Sequence, residues 1–170
     1  MKKQTKIENL IQKKLLRLHD RKIDLSLDRI HRLNQDLKIN IDKLRAKTIT
    51  VSGTNAKWSI GSTLCSIFEA AGYKFDFFSS PHLQFYTERF VFESKEISEE
   101  DLLNLLSEVS KVNGKKPITI FELLTAAFYF YSDTKSKSDV VIAENGLFQR
   151  YDSIASIGHH LMNVTCPISL

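Results

Sequence analysis

Apolar residues recur every three or four positions over Thr5–Leu18, at Ile7, Leu10, Ile11, Leu15 and Leu18, and this spacing predicts an amphipathic helix. The same period over Leu25–Leu37 (Leu27, Ile30, Leu33, Leu37) predicts a second, with Asp20–Asp24 as the turn between them. The pattern then changes. Thr48–Ser52 is a short run rich in β-branched residues, as in a buried parallel strand, and Lys57–Ala71 reads as its crossover helix, closed by Gly72. Tyr73–Phe78 predicts a second strand and Phe90–Phe92 a short one. Ser98, with acids at 99–101, opens a helix running to about Val112 before Asn113-Gly114. Thr119–Tyr131 is apolar nearly all round, hence a buried helix, and Asp133–Ser138 is a polar linker. Asp139–Ala143 predicts a buried strand, and Asn163–Ile168 another that Pro167 confines to an edge or an end. Strands alternating with helices predict an α/β fold with a mostly parallel sheet and flanking helices, whose ligands bind beyond the carboxyl ends of the strands.

One junction carries chemistry. Ile49–Ser52 runs into Gly53-Thr-Asn-Ala-Lys57-Trp-Ser59 and then the crossover helix. A strand, a short loop with Lys and Ser, and a helix N-terminus can hold nucleotide phosphates. Backbone N–H groups and the helix dipole favour an anion, Lys neutralises it, and a hydroxyl ligates Mg²⁺. The strict G-x-x-x-x-G-K-[ST] spacing is not met, so spacing alone leaves an ordinary turn with Ser59 as N-cap equally open.

Composition narrows the class. At 170 residues, 42% hydrophobic, with three Pro and six Gly, the chain suits one globular domain. No apolar run is long enough for a membrane span, and the basic start Met1–Lys6 lacks the apolar core of a secretory signal. Cys65 and Cys166 form no C-x-x-C pair, which suits a reduced, cytoplasmic protein. Residues 1–47 carry 14 Lys/Arg against 6 Asp/Glu, yet acids are interleaved, so a solvated helix face is favoured over nucleic-acid binding.

The loop Gly53–Ser59 resembles the G-T-N-G-K-G-S loop of the folylpolyglutamate synthase / dihydrofolate synthase family, a branch of the Mur-type ATP-dependent amide ligases. Further resemblances follow in order: Lys22–Ile30 before the loop; Ala70-Ala-Gly-Tyr73, Ser79-Ser-Pro-His-Leu83 and Thr87-Glu-Arg89; Thr119-Ile-Phe-Glu-Leu-Leu-Thr125; and Glu144-Asn-Gly-Leu-Phe-Gln-Arg150 with Asp152. The resemblance runs from about Arg21 to the last residue. It implies a P-loop-type nucleotide-binding domain over 47–170, preceded by a helical segment over 1–46, with the family's C-terminal domain absent. It also implies ATP and Mg²⁺ as cofactors, and L-glutamate and dihydropteroate or a folate as substrates of a monomeric cytoplasmic ligase, with no nucleic-acid or membrane partner. The reaction implied is amide formation through an acyl phosphate, with the isolated chain inactive. A non-catalytic nucleotide- or partner-binding module and another Mur-type ligase are the alternatives.

The resemblance assigns residues as well. ATP would be held by Gly53, Thr54, Asn55, Ala56, Lys57, Trp58 and Ser59, with Lys57 catalytic as the phosphate-neutralising cation. Ser79 and Glu122 would share one Mg²⁺ beside the loop, although Thr119-x-x-Glu122 is a capping box by itself. Asp24, Ser80, Pro81 and His82 would lie on the folate side, and Glu144 and Asp152 near the nucleotide. The chain also departs from the family. Ala56 and Trp58 stand where the loop has Gly, and Phe148 and Gln149 replace a later Gly pair. Ala56 therefore either sits at φ < 0 or strains the loop. Trp58 either points outward or stacks on a ligand ring.

Overall fold

A computed structural model describes residues 5–16, 26–146 and 149–168. The 20–24 turn, Asp24 and Phe148 lie outside the described residues, as does the side chain of Gln149. The architecture is a single six-stranded sheet between helices, ordered β4-β3-β2-β5-β1-β6. Strands β1 (Thr48–Ser52), β2 (Phe75–Phe78), β5 (Val140–Glu144) and β6 (Met162–Thr165) are mutually parallel. The short β3 (Phe90–Phe92) and β4 (Lys95–Glu96) continue the sheet antiparallel beyond β2. This is the mostly parallel α/β sheet expected of the strand–helix alternation.

Period-two alternation along β2 sorts its side chains between two cores. Phe75 and Phe77 join Val51, Cys65, Ile142 and Cys166 in a layer under α4 (Lys57–Ala70). Phe78 faces the other way, into the larger core built by α1 (Lys6–Leu16), α2 (Asp28–Asp36), α5 (Glu99–Asn113) and α6 (Ile120–Thr134). There it meets Phe128 at 5.2 Å, Phe90 at 5.3 Å and Phe121 at 5.9 Å between ring centroids, distances at which aromatic pairs attract. The caps read from sequence are made. Ser98 accepts from Asp101 N, and Thr119 with Glu122 forms a complete capping box.

Two elements depart from the expected ones. Residues Ile41–Arg45 form a short helix, α3, capped by Asn40, whose side chain accepts from Lys43 N. The stretch 133–138 is not wholly a linker, since α6 runs to Thr134. No described helix is long and apolar enough to cross a membrane.

Helix α1 places an acid in the core. Glu8 is fully buried, with Oε1 accepting from Tyr86 N at 3.2 Å and no hydrogen-bond partner at Oε2. Burial pushes its carboxyl above the usual range; the Tyr86 amide opposes this, and the nearby Glu99 and Glu88 add to it. An acid whose folded pKa is raised favours folding below its unfolded pKa and loses that contribution as pH rises through the folded value. Glu8→Gln, which is neutral at every pH, is therefore expected to show a higher urea midpoint than the parent at about pH 8 and the same midpoint near pH 4. An equal midpoint at both would mean that Glu8 ionises without cost.

Candidate functional site

The carboxyl ends of β1, β2 and β5 converge on one edge of the sheet, and the 53–56 loop, the 79–82 segment and Glu144 meet there. Gly53 has φ +138°, and a Cβ added to it would stand 2.6 Å from Cys166 Cβ and 2.9 Å from Cys166 O. Cys166 N donates to Ser52 O at 2.7 Å and Thr54 N to Pro167 O at 3.2 Å, so the chain after β6 clamps the loop base. Beneath it Asn145 Nδ2 donates to Ser52 Oγ at 2.6 Å.

Ala56 ends the loop in the left-handed region, φ 63° and ψ 9°, and is the N-cap of α4 with no side-chain capping bond. Of the two conformations open to it, the chain adopts the strained one. Ala56→Gly is expected to raise unfolding stability by about 1 kcal/mol, the relief of left-handed strain less the entropy Gly adds to the unfolded chain. Chemical denaturation measures this, and a loss of stability would overturn the assignment of strain. Ser59 sits in the third position of α4, and Ala56 rather than Ser59 is its N-cap. Trp58 is 60% exposed and points outward. The first amides of α4 are thus left without a capping side chain, beside an accessible loop.

Lys57, the first residue of α4, folds its ammonium over the loop, donating to Gly53 O at 3.0 Å and Thr54 O at 3.4 Å. It also lies 4.0 Å from Oε1 of Glu144, whose side chain is almost wholly buried. Glu144 Oε2 accepts from Ser80 N at 3.2 Å. Burial pushes the Glu144 carboxyl up; the Ser80 amide, Lys57 and Arg89 pull against that, and Asp152 reinforces it. Asp152 is buried and accepts from Gly146 N at 2.7 Å and Ile154 N at 2.8 Å.

The expected Ser79–Glu122 pair is not drawn together by any hydrogen bond. Ser79 Oγ donates weakly to Glu88 O at 3.4 Å. The Glu122 carboxylate accepts from Thr119 N at 2.7 Å, from Arg29 Nε at 3.0 and 3.2 Å, and from Arg29 Nη2 at 3.1 Å. Its oxygens are shared between a capping box and a guanidinium. Among the described residues no group of three or more His, Cys, Asp or Glu stands ready for a metal. Ser80 and Pro81, joined by a cis peptide, line the edge beside Glu144. His82 Nδ1 accepts from Arg89 Nε at 2.8 Å, and its ring lies 4.3 Å from that of Tyr86. Burial and the adjacent Arg89 hold His82 below the usual imidazole range, so it is neutral at pH 7 and able to accept.

No protein-family model matches the chain. It is 36% identical over 137 residues to the dihydrofolate synthase/folylpolyglutamate synthase of Escherichia coli, covering 80% of this chain and 32% of that protein. The structure superposes on Escherichia coli FolC in complex with DHPP and ADP with a TM-score of 0.85 at 33% identity, covering 95% of this chain and 38% of the other. A bifunctional folylpolyglutamate synthase/dihydrofolate synthase with Mn, AMPPNP and L-glutamate bound matches with a TM-score of 0.79 at 31% identity, covering 89% and 36%. The chain spans about a third of the length of the curated relatives it matches. By sequence and by fold it is a homologue of the N-terminal part of the dihydrofolate synthase/folylpolyglutamate synthase family.

Proposed function

We propose that this chain is the nucleotide-binding part of an ATP-dependent ligase that joins L-glutamate to a pteroate or folate carboxylate through an acyl phosphate. The observation that carries the reading is the uncapped N-terminus of α4, with Lys57 lying between loop carbonyls and the buried carboxylate of Glu144 at the carboxyl edge of a parallel sheet. Related proteins hold ADP or AMPPNP, and one also holds Mn and L-glutamate. In this reading residues 53–59 cradle the phosphates and Lys57 leaves the loop carbonyls for the γ-phosphate. The N-terminal helices 1–46 and the body 47–170 act as one binding unit, in the cytoplasm and on small molecules. Ser80, Pro81, His82 and Asp24 would face the folate side.

Ser79 and Glu122 would hold the divalent cation beside the loop. Glu144 would add a further oxygen donor at the loop edge: its buried carboxylate takes the Ser80 amide at Oε2, and carboxylate oxygens suit Mg²⁺. When bound, such an ion neutralises phosphate charge as the phosphoryl group moves. The residues themselves bind and orient: the α4 amides and Lys57 fix the phosphates, and the buried Glu144 holds charge where water is scarce.

Titration calorimetry with Mg·ATP tests this. Binding is expected to be weak for this stretch, which spans about a third of the length of its relatives. Lys57→Ala is expected to lower affinity about 10- to 100-fold, the equivalent of one charge-assisted contact worth roughly 1.5–3 kcal/mol. No heat from a folded chain, or equal heat from the variant, would defeat the nucleotide reading.

A further inference from the structure

A cavity of mixed lining, with Ile39 and Ile41 on its apolar side, lies at the other end of the sheet. It has a volume of about 200 Å³ and is lined by His31, Asn34 and Gln35 of α2, Arg45 of α3, and Ser156 and Gly158. Helix α3 ends three residues before β1 begins, and Gly158 precedes β6 by four, so the cavity opens at the amino ends of the parallel strands, away from the 53–59 loop.

Three features give it the character of a built site. First, Asn34 is only 2% exposed; its Nδ2 donates to Ser156 Oγ at 3.1 Å, and its Oδ1 has no hydrogen-bond partner. A buried amide oxygen left without a donor costs on the order of 1–3 kcal/mol, which a ligand donor would recover. Second, the Arg45 guanidinium is fixed in place, its Nε donating to Ile157 O and its Nη1 pairing with Asp42 at 3.1 Å. Asp42 is 91% exposed, so water screens its charge, and among the described residues no acidic side chain lines the cavity. Third, Gly158 keeps the space open for the arginine: a Cβ there would stand 2.6 Å from Arg45 Nη2. A cation, amide and imidazole groups, and one acceptor lacking a donor define the complementary ligand.

We infer that this cavity binds a small phosphate-type oxyanion, whose oxygens accept from Arg45 and Gln35 and whose P–OH donates to Asn34 Oδ1. The hydroxyl is the discriminating element. At mildly alkaline pH hydrogen phosphate and sulfate are both dianions of similar size, but only phosphate retains a proton to give. The site would bridge α2 and α3 to the 156–158 segment, tying the N-terminal helices to the sheet when filled. It is independent of the nucleotide reading, because none of its residues belongs to the 53–59 loop.

The test is a titration of the isotopically labelled chain with inorganic phosphate, sulfate and glycerol phosphate, followed by amide NMR shifts. Phosphate is expected to move the amides of residues 31–35, 45 and 156–158, with sulfate at least about tenfold weaker. Arg45→Gln is expected to weaken phosphate by about tenfold or more. Because Arg45 also holds Ile157 O, Gln35→Glu serves as a second variant: it is exposed, leaves the packing alone, and should repel the anion. Glycerol phosphate binding as well as phosphate would identify a phosphorylated metabolite as the source, and its exclusion would identify the free ion. Lys57→Ala should leave these shifts unchanged. Phosphate shifts confined to the α4 N-terminus, sulfate equal to phosphate, or binding insensitive to Gln35→Glu would each overturn the proposal.

Discussion

Glu122→Ala is expected to destabilise the chain by about 3–5 kcal/mol, a large share of the stability of a domain this size. Two losses combine. The substitution removes the carboxylate that Arg29 grips through Nε and Nη2, in a place where the Glu122 side chain is 8% exposed and that of Arg29 18%. Removing the carboxylate takes away the guanidinium's two-nitrogen partner in a poorly hydrated place, which costs more than the pair itself contributes. It also removes the acceptor for Thr119 N, half of the capping box that starts α6, worth about 1 kcal/mol. Helix α6 carries Phe128 and Tyr129 into the core, so fraying at its start reaches Phe78 and the strand beside the site. Glu122→Gln keeps the cap and loses the charge, and should fall between the parent and the alanine variant. Urea unfolding measures all three. A loss below about 1 kcal/mol for the alanine variant would show that the Arg29 contact is solvent-screened, and would leave the ligand role as the main one for this acid.

That acid also shows where sequence reasoning stops. The capping box was legible because Thr119 and Glu122 are three residues apart, and caps likewise fixed the starts of α5 and α6 to within a residue. Arg29 lies 93 positions from Glu122, and no local pattern announces that contact. Glu144 also stands in a recognisable motif, yet only the sheet register gives it its place. Glu144 is the last residue of β5, opposite Val51 in β1, and so is carried to the loop edge. Strand β3 was legible at Phe90–Phe92, but its hairpin partner β4 was not, for a different reason. Their two-residue turn, Glu93-Ser94, has φ of 48° and 65° without the Asn or Gly such turns favour. Its support comes from tertiary contacts: Glu93 N donates to the buried Asp76, Ser94 N donates to Phe75 O, and Lys74 pairs with Glu93. Helix α3 escaped notice because five residues are too few to show a helical period.

Gly53→Ala is expected to be the most damaging single-methyl change at the loop, costing about 3 kcal/mol or more through overpacking and backbone strain together. The φ of +138° is one that L side chains rarely adopt. The new Cβ would in addition meet Cys166 Cβ at 2.6 Å and Cys166 O at 2.9 Å, and only a shift of backbone relieves the second. Cys166 cannot readily retreat, because its N–H donates to Ser52 O and it packs in the α4-side core with Val51 and Ile142. The loop must therefore move away from the end of β6, taking with it Thr54 N from Pro167 O and the Gly53 carbonyl that Lys57 grips. Stability and nucleotide affinity should fall together in this variant. In Lys57→Ala, affinity should fall with a smaller loss of unfolding stability, about 1 kcal/mol, since the side chain touches loop carbonyls and only approaches the buried Glu144 at 4.0 Å. Measuring both quantities on both variants separates the roles. A Gly53→Ala chain as stable as the parent would mean that the clamp between β1 and the segment after β6 is looser than its hydrogen bonds indicate, and Cys166→Gly, which removes the Cβ that the new methyl meets, should then have no rescuing effect on Mg·ATP binding.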